Sequence, residues 1–182
     1  MNARTRLWQE AASFSAWKHR HQMRKDGRTP YAAHPFRVAM AVRDVFGCDD
    51  AEAIAAALLH DTIEDTLTDY DDLESRFGAT VADIVASLTK NMALREDARE
   101  AEYDTRLAVA DWRARLVKLA DAFDNLSDLS SLSQAERDKL ADPADKARRA
   151  IALADPDAKA HPEVGRAIEA VRAMINARSV AC

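Results

Sequence analysis

Between Leu7 and Ala177 apolar residues recur at three- and four-residue steps almost without interruption, and long runs of alternating β-branched residues are missing. A chain patterned in this way buries its apolar faces by packing helix against helix. Only 4 Gly and 5 Pro punctuate 182 residues, and 48% apolar content is enough for a sizeable core. The steps Leu7, Ala11, Phe14 and Trp17 predict a first helix ending near Met23, then a loop at Asp26-Gly27-Arg28-Thr29-Pro30. A second helix is predicted from about His34, with Pro35 in its first turn, Val38, Val42 and Val45 on its apolar face, and Phe46-Gly47 at its end. Asp49 or Asp50 can cap the next helix, which carries Ile54 to Ile63. Further helices are predicted over 68–77 (stopped by Gly78), 81–88, 101–110, 112–126, 134–153 and 163–177, while 90–99 is polar and poorly patterned. No repeat, low-complexity tract or long linker divides the chain. The expectation is one all-α domain over 1–182, a helical bundle of roughly eight or more helices.

Charge and cysteine content narrow the function classes. A formal net charge of −5 opposes broad nucleic-acid or anionic-membrane binding, which call for a positive face. Cys48 and Cys182 are too few and too isolated for a disulfide framework or a cysteine metal site. The first nine residues hold no apolar signal core, and nowhere are there about 18 consecutive apolar residues. A soluble, cytoplasmic protein is expected.

The segment Leu58-Leu59-His60-Asp61-Thr62-Ile63-Glu64-Asp65-Thr66 places three carboxylates and one imidazole within six residues, at the end of a very apolar helix. On a continuous helix His60 and Glu64 would share a face, as would Asp61 and Asp65. Clustered acids on an apolar helix repel one another and lose hydration unless a cation compensates them. Adjacent His and Asp side chains could reach one metal ion there; alternatively, the charges mark a fraying helix end. His34 could project into the bundle, or act as a cap or a satisfied core residue. Asp121 sits beside an apolar stripe with Val117, Ala120 and Asp124, where it needs a partner, metal or salt bridge. Two His and two Asp form a mixed nitrogen–oxygen set able to hold one divalent ion.

The order His34-Pro35, His60-Asp61, Glu64-Asp65 and a distant Asp121 resembles the HD superfamily. Longer strings resemble the hydrolase domain of RelA/SpoT alarmone enzymes, above all their small hydrolase-only relatives. They are Lys18-His19-Arg20-His21-Gln22-Met23-Arg24-Lys25-Asp26-Gly27, Thr29-Pro30-Tyr31, Val38-Ala39, Ala57 through Thr66, Phe77-Gly78, Leu88-Thr89-Lys90, Lys118-Leu119-Ala120-Asp121 and Asn125-Leu126. These motifs occupy about 10–130, in family order, with the helices over 134–178 completing the fold. The resemblance implies His34, His60, Asp61 and Asp121 as ligands of one divalent metal ion, Mn²⁺ in this family, and Glu64 and Asp65 as the catalytic acid pair. His19, His21 and His161 do not form the pattern of a second metal site.

The implied reaction is hydrolysis of the 3′-diphosphate of (p)ppGpp, releasing pyrophosphate and GDP or GTP. An ion would polarise a phosphoryl oxygen and acidify a water, while Glu64 and Asp65 divide the proton transfers between them. Lys18, Arg20, Arg24, Lys25 and Arg28 supply positive charge for an anionic nucleotide, or else a solvated helix end. In the family's Arg-Lys-Asp-Gly loop the Arg lies against the base and the Lys approaches the nucleotide, which implies these roles for Arg24 and Lys25. Asn125 is implied to contact the nucleotide, and Lys90 is a weaker candidate. The chain departs from the long enzymes at Ala122, where they carry Arg, and at Ser127, where a basic residue is common. Those departures bear on the base, so the adenine analogue (p)ppApp is a possible substrate instead or as well. With no synthetase region, the chain is expected to degrade alarmone without making it. The expected partner is a small nucleotide, not nucleic acid or a membrane. Competing readings are an HD nucleotidase or phosphatase acting on 5′-nucleotides or NADPH, and an inert nucleotide-binding helical module.

Overall fold

A computed structural model describes residues 3–128 and 143–179, and these form helices with no strand among them. The elements are α1 (Ala3–Lys18), α2 (Ala33–Met40) continued by a π-turn (Ala41–Val45), α3 (Ala51–Leu59), the single turn α4 (Thr62–Asp65), α5 (Tyr70–Phe77) and α6 (Ala79–Leu88). There follow α7 (Glu96–Val109), α8 (Trp112–Asp128), α9 (Pro143–Ala154), a 3₁₀ turn (Asp155–Asp157) and α10 (Pro162–Ser179). The predicted helix over 134–153 lies partly outside the described residues; its described part is α9.

At the centre stands α3, whose residues other than Glu52 are all buried. A short helix that is apolar on every side belongs inside a bundle, and α1, α2, α6 and α8 pack around it. Four of its five alanines, Ala53, Ala55, Ala56 and Ala57, are wholly buried and let neighbouring backbones come close. Asp50 caps it, its carboxylate accepting the Ala53 N–H at 2.8 Å. The long α8 lies across α2, α3 and α6 and receives α9 and α10 on its other side, so one continuous core joins the described helices.

Several expected boundaries move, each for a local reason. α1 stops at Lys18 instead of Met23, because Arg24 N–H donates to Thr29 O at 2.8 Å and Tyr31 N–H to Gln22 O at 2.9 Å. These bonds fold 22–31 into a hairpin-like loop with a Met23–Pro30 bridge. Asp26 holds its tip, accepting the Arg28 and Thr29 N–H groups at 2.9 Å, and Gly27 takes φ +66°. In the second helix Phe46 N–H reaches back to Ala41 O at 2.9 Å, a bond that skips one residue more than an α-turn. The extra residue rotates Val45 outward to 46% exposure and turns Phe46 into the core, correcting the expected Val38–Val42–Val45 face. α5 begins at Tyr70, because Asp69 caps it. α7 begins at Glu96, five residues before the apolar pattern does, with Glu96 and Asp97 at the positive end of its dipole.

The largest correction falls at His60. The predicted continuous helix through Ile63 is broken: α3 ends at Leu59, Asp61 adopts φ −98°, ψ −1°, and α4 restarts at Thr62. The Thr62 hydroxyl donates to Leu59 O at 2.7 Å, occupying a carbonyl that would otherwise continue the helix.

Arg115 ties the far end of the bundle together. Its buried guanidinium donates to Leu107, Ala108 and Ala110 carbonyls at 2.9, 3.1 and 2.7 Å and forks onto Asp157. Arg115→Met keeps the bulk but strands those carbonyls and a carboxylate, and should lower unfolding free energy in urea by about 3 kcal/mol or more. Arg115→Lys should recover only a minor part of that loss, since one ammonium cannot reproduce the fork.

Candidate functional site

The break after α3 is what assembles the site. Neighbouring residues on an unbroken helix point about 100° apart, yet here His60 Nε2 and Asp61 Oδ2 lie 3.2 Å from each other. His34, in the first turn of α2, brings its Nε2 to 3.4 Å from the same Asp61 oxygen and 3.3 Å from Asp121 Oδ1 on α8. His60 Nε2 lies 4.0 Å from Asp121 Oδ1.

The far nitrogens of both rings set their tautomers. His60 Nδ1 lies 2.9 Å from Ala57 O, which can only accept, so Nδ1 carries the proton. His34 Nδ1 likewise donates to Asp124 Oδ2 at 2.7 Å. In the neutral rings both Nε2 lone pairs therefore face the Asp61 and Asp121 carboxylates. His60 Nε2 is buried with no hydrogen-bond partner, an orphaned acceptor that a cation would satisfy. Two ligands of one ion with bonds of about 2.1 Å stand roughly 3.0–3.5 Å apart at octahedral or tetrahedral angles. Three of the four measured spacings fall there, and His34, His60 and Asp121 by themselves form a compact potential ligand group. The donor set fits one divalent ion.

The carboxylates and imidazoles shift one another's proton affinities. Burial opposes charge on His34, but hydrogen bonds to Asp121, Asp124 and Asp61 prevail and raise its pKa to about 11. Burial opposes charge on His60 too, yet the adjacent Asp61 raises it. Burial pushes Asp61 and Asp121 upward, and facing cations (His60 and His34 for Asp61, Lys118 and His34 for Asp121) hold both well below the usual carboxylate range.

The implied metal ligands His34, His60, Asp61 and Asp121, the acid pair Glu64 and Asp65, and Arg24, Lys25 and Asn125 all line one cleft of about 270 Å³. Glu64 stands beside the ligand group, its Oε2 accepting the Lys90 N–H at 2.9 Å. Burial raises its pKa against the effect of that bond. Asp65 Oδ2 lies 2.9 Å from the Tyr31 hydroxyl, which is also 2.7 Å from Asp61 Oδ2. One phenolic proton thus stands between two carboxylates. Gln22 donates to Asp65 O at 2.6 Å and fastens the hairpin-like loop to α4. Asn125 does more than face the cleft: its amide donates to Asp121 Oδ1 and its carbonyl accepts Arg24 Nη2 at 3.1 Å.

Of the five-residue basic cluster only Arg24 and Lys25 reach the cleft. Lys18 turns to Asp72 and the Phe14 ring, and Arg20 to Trp17; Arg28 is not among the lining residues. Lys90, the weaker candidate, does line it, as do Tyr31, Tyr103 and Lys118. Lys118 donates to Asp121 Oδ2 at 2.8 Å. Sequence reasoning assigned no role to Tyr31, Lys118 or Asp124, although Asp124 lies one turn from Asp121 on the same apolar stripe, a spacing that could have exposed it.

Residues 11–147 match the family described as HD domain. The chain is 46% identical over 122 residues to guanosine-3′,5′-bis(diphosphate) 3′-pyrophosphohydrolase MESH1 of Danio rerio, covering 66% of this chain and 68% of that protein. The Homo sapiens protein of the same name is 43% identical over 122 residues, with the same coverage. A solved structure described as a metazoan ortholog of SpoT that hydrolyzes ppGpp aligns with a TM-score of 0.79 at 28% identity. That alignment covers 98% of this chain and 97% of the other.

Metal loading has to expel protons. His34, its pKa raised to about 11, carries a proton at neutral pH that an ion on Nε2 must displace, and the neighbouring Asp61 raises His60 in the same direction, so binding should release protons and weaken as pH falls. Mn²⁺ titration in weak buffer with a pH indicator checks this, and pH-independent affinity would place the ion elsewhere. Asp61→Ala should lose metal by elemental analysis while keeping its helical circular dichroism.

Proposed function

The chain belongs to the HD-domain family, and from that premise we propose that it is a divalent-metal-dependent hydrolase of the 3′-diphosphate of (p)ppGpp-type alarmones. The observation that carries this reading is the meeting, in one cleft, of two imidazoles, the His60 one with a buried Nε2 that has no hydrogen-bond partner, two carboxylates, a Glu-Asp pair and the Arg24-Lys25 loop. The names borne by relatives at 46% and 43% identity support the substrate class. His34, His60, Asp61 and Asp121 are the proposed metal ligands and Mn²⁺ the proposed ion, which mixed nitrogen–oxygen donors accommodate. When bound, the ion supplies Lewis acidity toward a phosphoryl oxygen and a more acidic water.

The protein's own side chains divide the rest. Water adds to the phosphorus attached to the 3′-oxygen, the P–O3′ bond breaks, and pyrophosphate leaves GDP or GTP behind. Glu64, held by the Lys90 N–H and raised in pKa by burial, takes the water's proton and returns one to the 3′-oxygen. Asp65, fixed by Tyr31, orients the water. Lys25 attracts the phosphates, and Arg24 turns toward the base a guanidinium whose charge Asp128 already satisfies at 2.8 Å. No helix of the described residues is long and apolar enough to cross a membrane, in keeping with a proposed cytoplasmic role on a small nucleotide.

Glu64→Gln and Asp65→Asn should retain metal and lose about 10²–10⁴-fold in turnover; near-normal turnover in both would move the acid–base role elsewhere. Guanine and adenine alarmones, NADPH and 5′-monophosphates offered side by side, with products resolved by chromatography, test the substrate class. Release of phosphate without pyrophosphate would overturn it.

The two basic residues should behave differently. Arg24→Ala should raise KM and narrow the guanine–adenine difference by about five- to thirtyfold in efficiency, the scale of a lost desolvated contact. Lys25→Ala should weaken both substrates equally and flatten the salt dependence.

A further inference from the structure

Charged side chains alternate in sign behind one wall of the cleft, from lining residues His34 and Arg24 to Arg37, Asp124 and Asp128 beyond them. His34 Nδ1 donates to Asp124 Oδ2, and Arg37 forks onto the same carboxylate, Nε to Oδ1 at 2.6 Å and Nη2 to Oδ2 at 2.9 Å. Arg37 Nη2 also lies 3.0 Å from Asp128 Oδ1. The other Asp128 oxygen accepts Arg24 Nε at 3.0 Å and Nη2 at 2.8 Å. Arg24 then returns through Asn125 to Asp121. The route begins on His34 and ends on Asp121, which face each other across the ligand group.

Three separate elements meet in this route. Arg37 is one turn beyond His34 on α2, Asp124 and Asp128 are one turn apart on α8, and Arg24 comes from the hairpin-like loop. Two carboxylates four residues apart on a helix repel each other, and Asp124, with a side chain 5% exposed, has little water to help it. A single planar guanidinium placed against both removes the repulsion and fixes both carboxylates, as a lysine ammonium could not. Asp128, so fixed, sets the plane of Arg24 near the Tyr31 ring, 5.5 Å from its centroid. Asp124, so fixed, sets the orientation of the His34 ring.

We propose that Arg37, Asp124 and Asp128 are positioning residues that hold the metal-facing imidazole of His34 in register with the nucleotide-facing guanidinium of Arg24. The identity of the nucleotide rests on the reading given above; the link to His34 does not.

Two measurements on the full chain test the link: calorimetric titration with Mn²⁺ alone, and KM for ppGpp. Arg37→Met should lower Mn²⁺ affinity about 10- to 100-fold, the usual effect of losing an outer partner of a ligand. It should also raise KM about tenfold, the scale of a lost charge-assisted hydrogen bond. Asp128→Asn should raise KM similarly and leave Mn²⁺ affinity at the parent value, because Asp124 and Arg37 still hold His34. Arg37→Lys should restore thermal stability but not Mn²⁺ affinity; rescue of both by lysine would reduce Arg37 to a structural charge and overturn the proposal. Parent Mn²⁺ affinity and parent KM in a folded Arg37→Met protein would overturn it as well. If Arg37→Met fails to fold, an unchanged KM in Asp128→Asn does the same. Should the parent protein leave ppGpp intact, the Mn²⁺ titrations still decide the link to His34, and the substrate assignment alone fails.

Discussion

Taking carboxylates out of water is costly unless cations or donors meet them, and this chain turns Asp61 and Asp121 toward a single cavity with Asp124 just behind them on His34. Four parts of the chain contribute to that compensation. α2 brings His34 and Arg37, α8 brings Lys118, the end of α3 brings His60, and the hairpin-like loop brings the Tyr31 hydroxyl. The same carboxylates raise the pKa of both imidazoles, His34 to about 11. A divalent cation held by these donors would meet the same negative charge, and its binding energy would add to the stability of the fold.

The apolar core makes such an arrangement affordable to the fold. α3 is buried on all sides and braced by α1, α2, α6 and α8, so its last residue is a rigid point from which His60 and Asp61 project. Rigidity at the base of a site limits the wandering of its ligands. The polar break after Leu59 is tolerable because Thr62 satisfies the freed carbonyl locally. Function thus sits where the core's regular geometry ends.

Much of this was legible in the chain. The apolar steps identify the helices, and a cap at Asp49 or Asp50 (Asp50 in the structure), the Gly78 stop and the short α5–α6 connection follow from local chemistry. The errors cluster where a longer-range bond overrides the local period. The loop from Gln22 to Tyr31 is held by cross-loop hydrogen bonds that Met23 and its neighbours do not announce. Val45 is turned out by a single extra residue in a turn, which an apolar period cannot register. The basic residues from Lys18 to Arg28 look alike in sequence, yet aromatic neighbours on α1 draw Lys18 and Arg20 away while the loop carries Arg24 and Lys25 inward.

By itself the sequence determined the helical class, the apolar centre and the residue types available for metal and proton chemistry, because those depend on spacings of a few residues. It also carried the ordered motifs that mark the family. Tertiary structure decided which of those side chains share a cavity, and which oxygen or nitrogen of each faces it. His34 finds Asp124 across 90 residues and Arg24 finds Asp128 across 104. No helical period extends over such distances. The pairing is set by how α2, α8 and the hairpin-like loop settle against α3, where apolar packing brings the backbones together and buried charge then selects the side-chain partners.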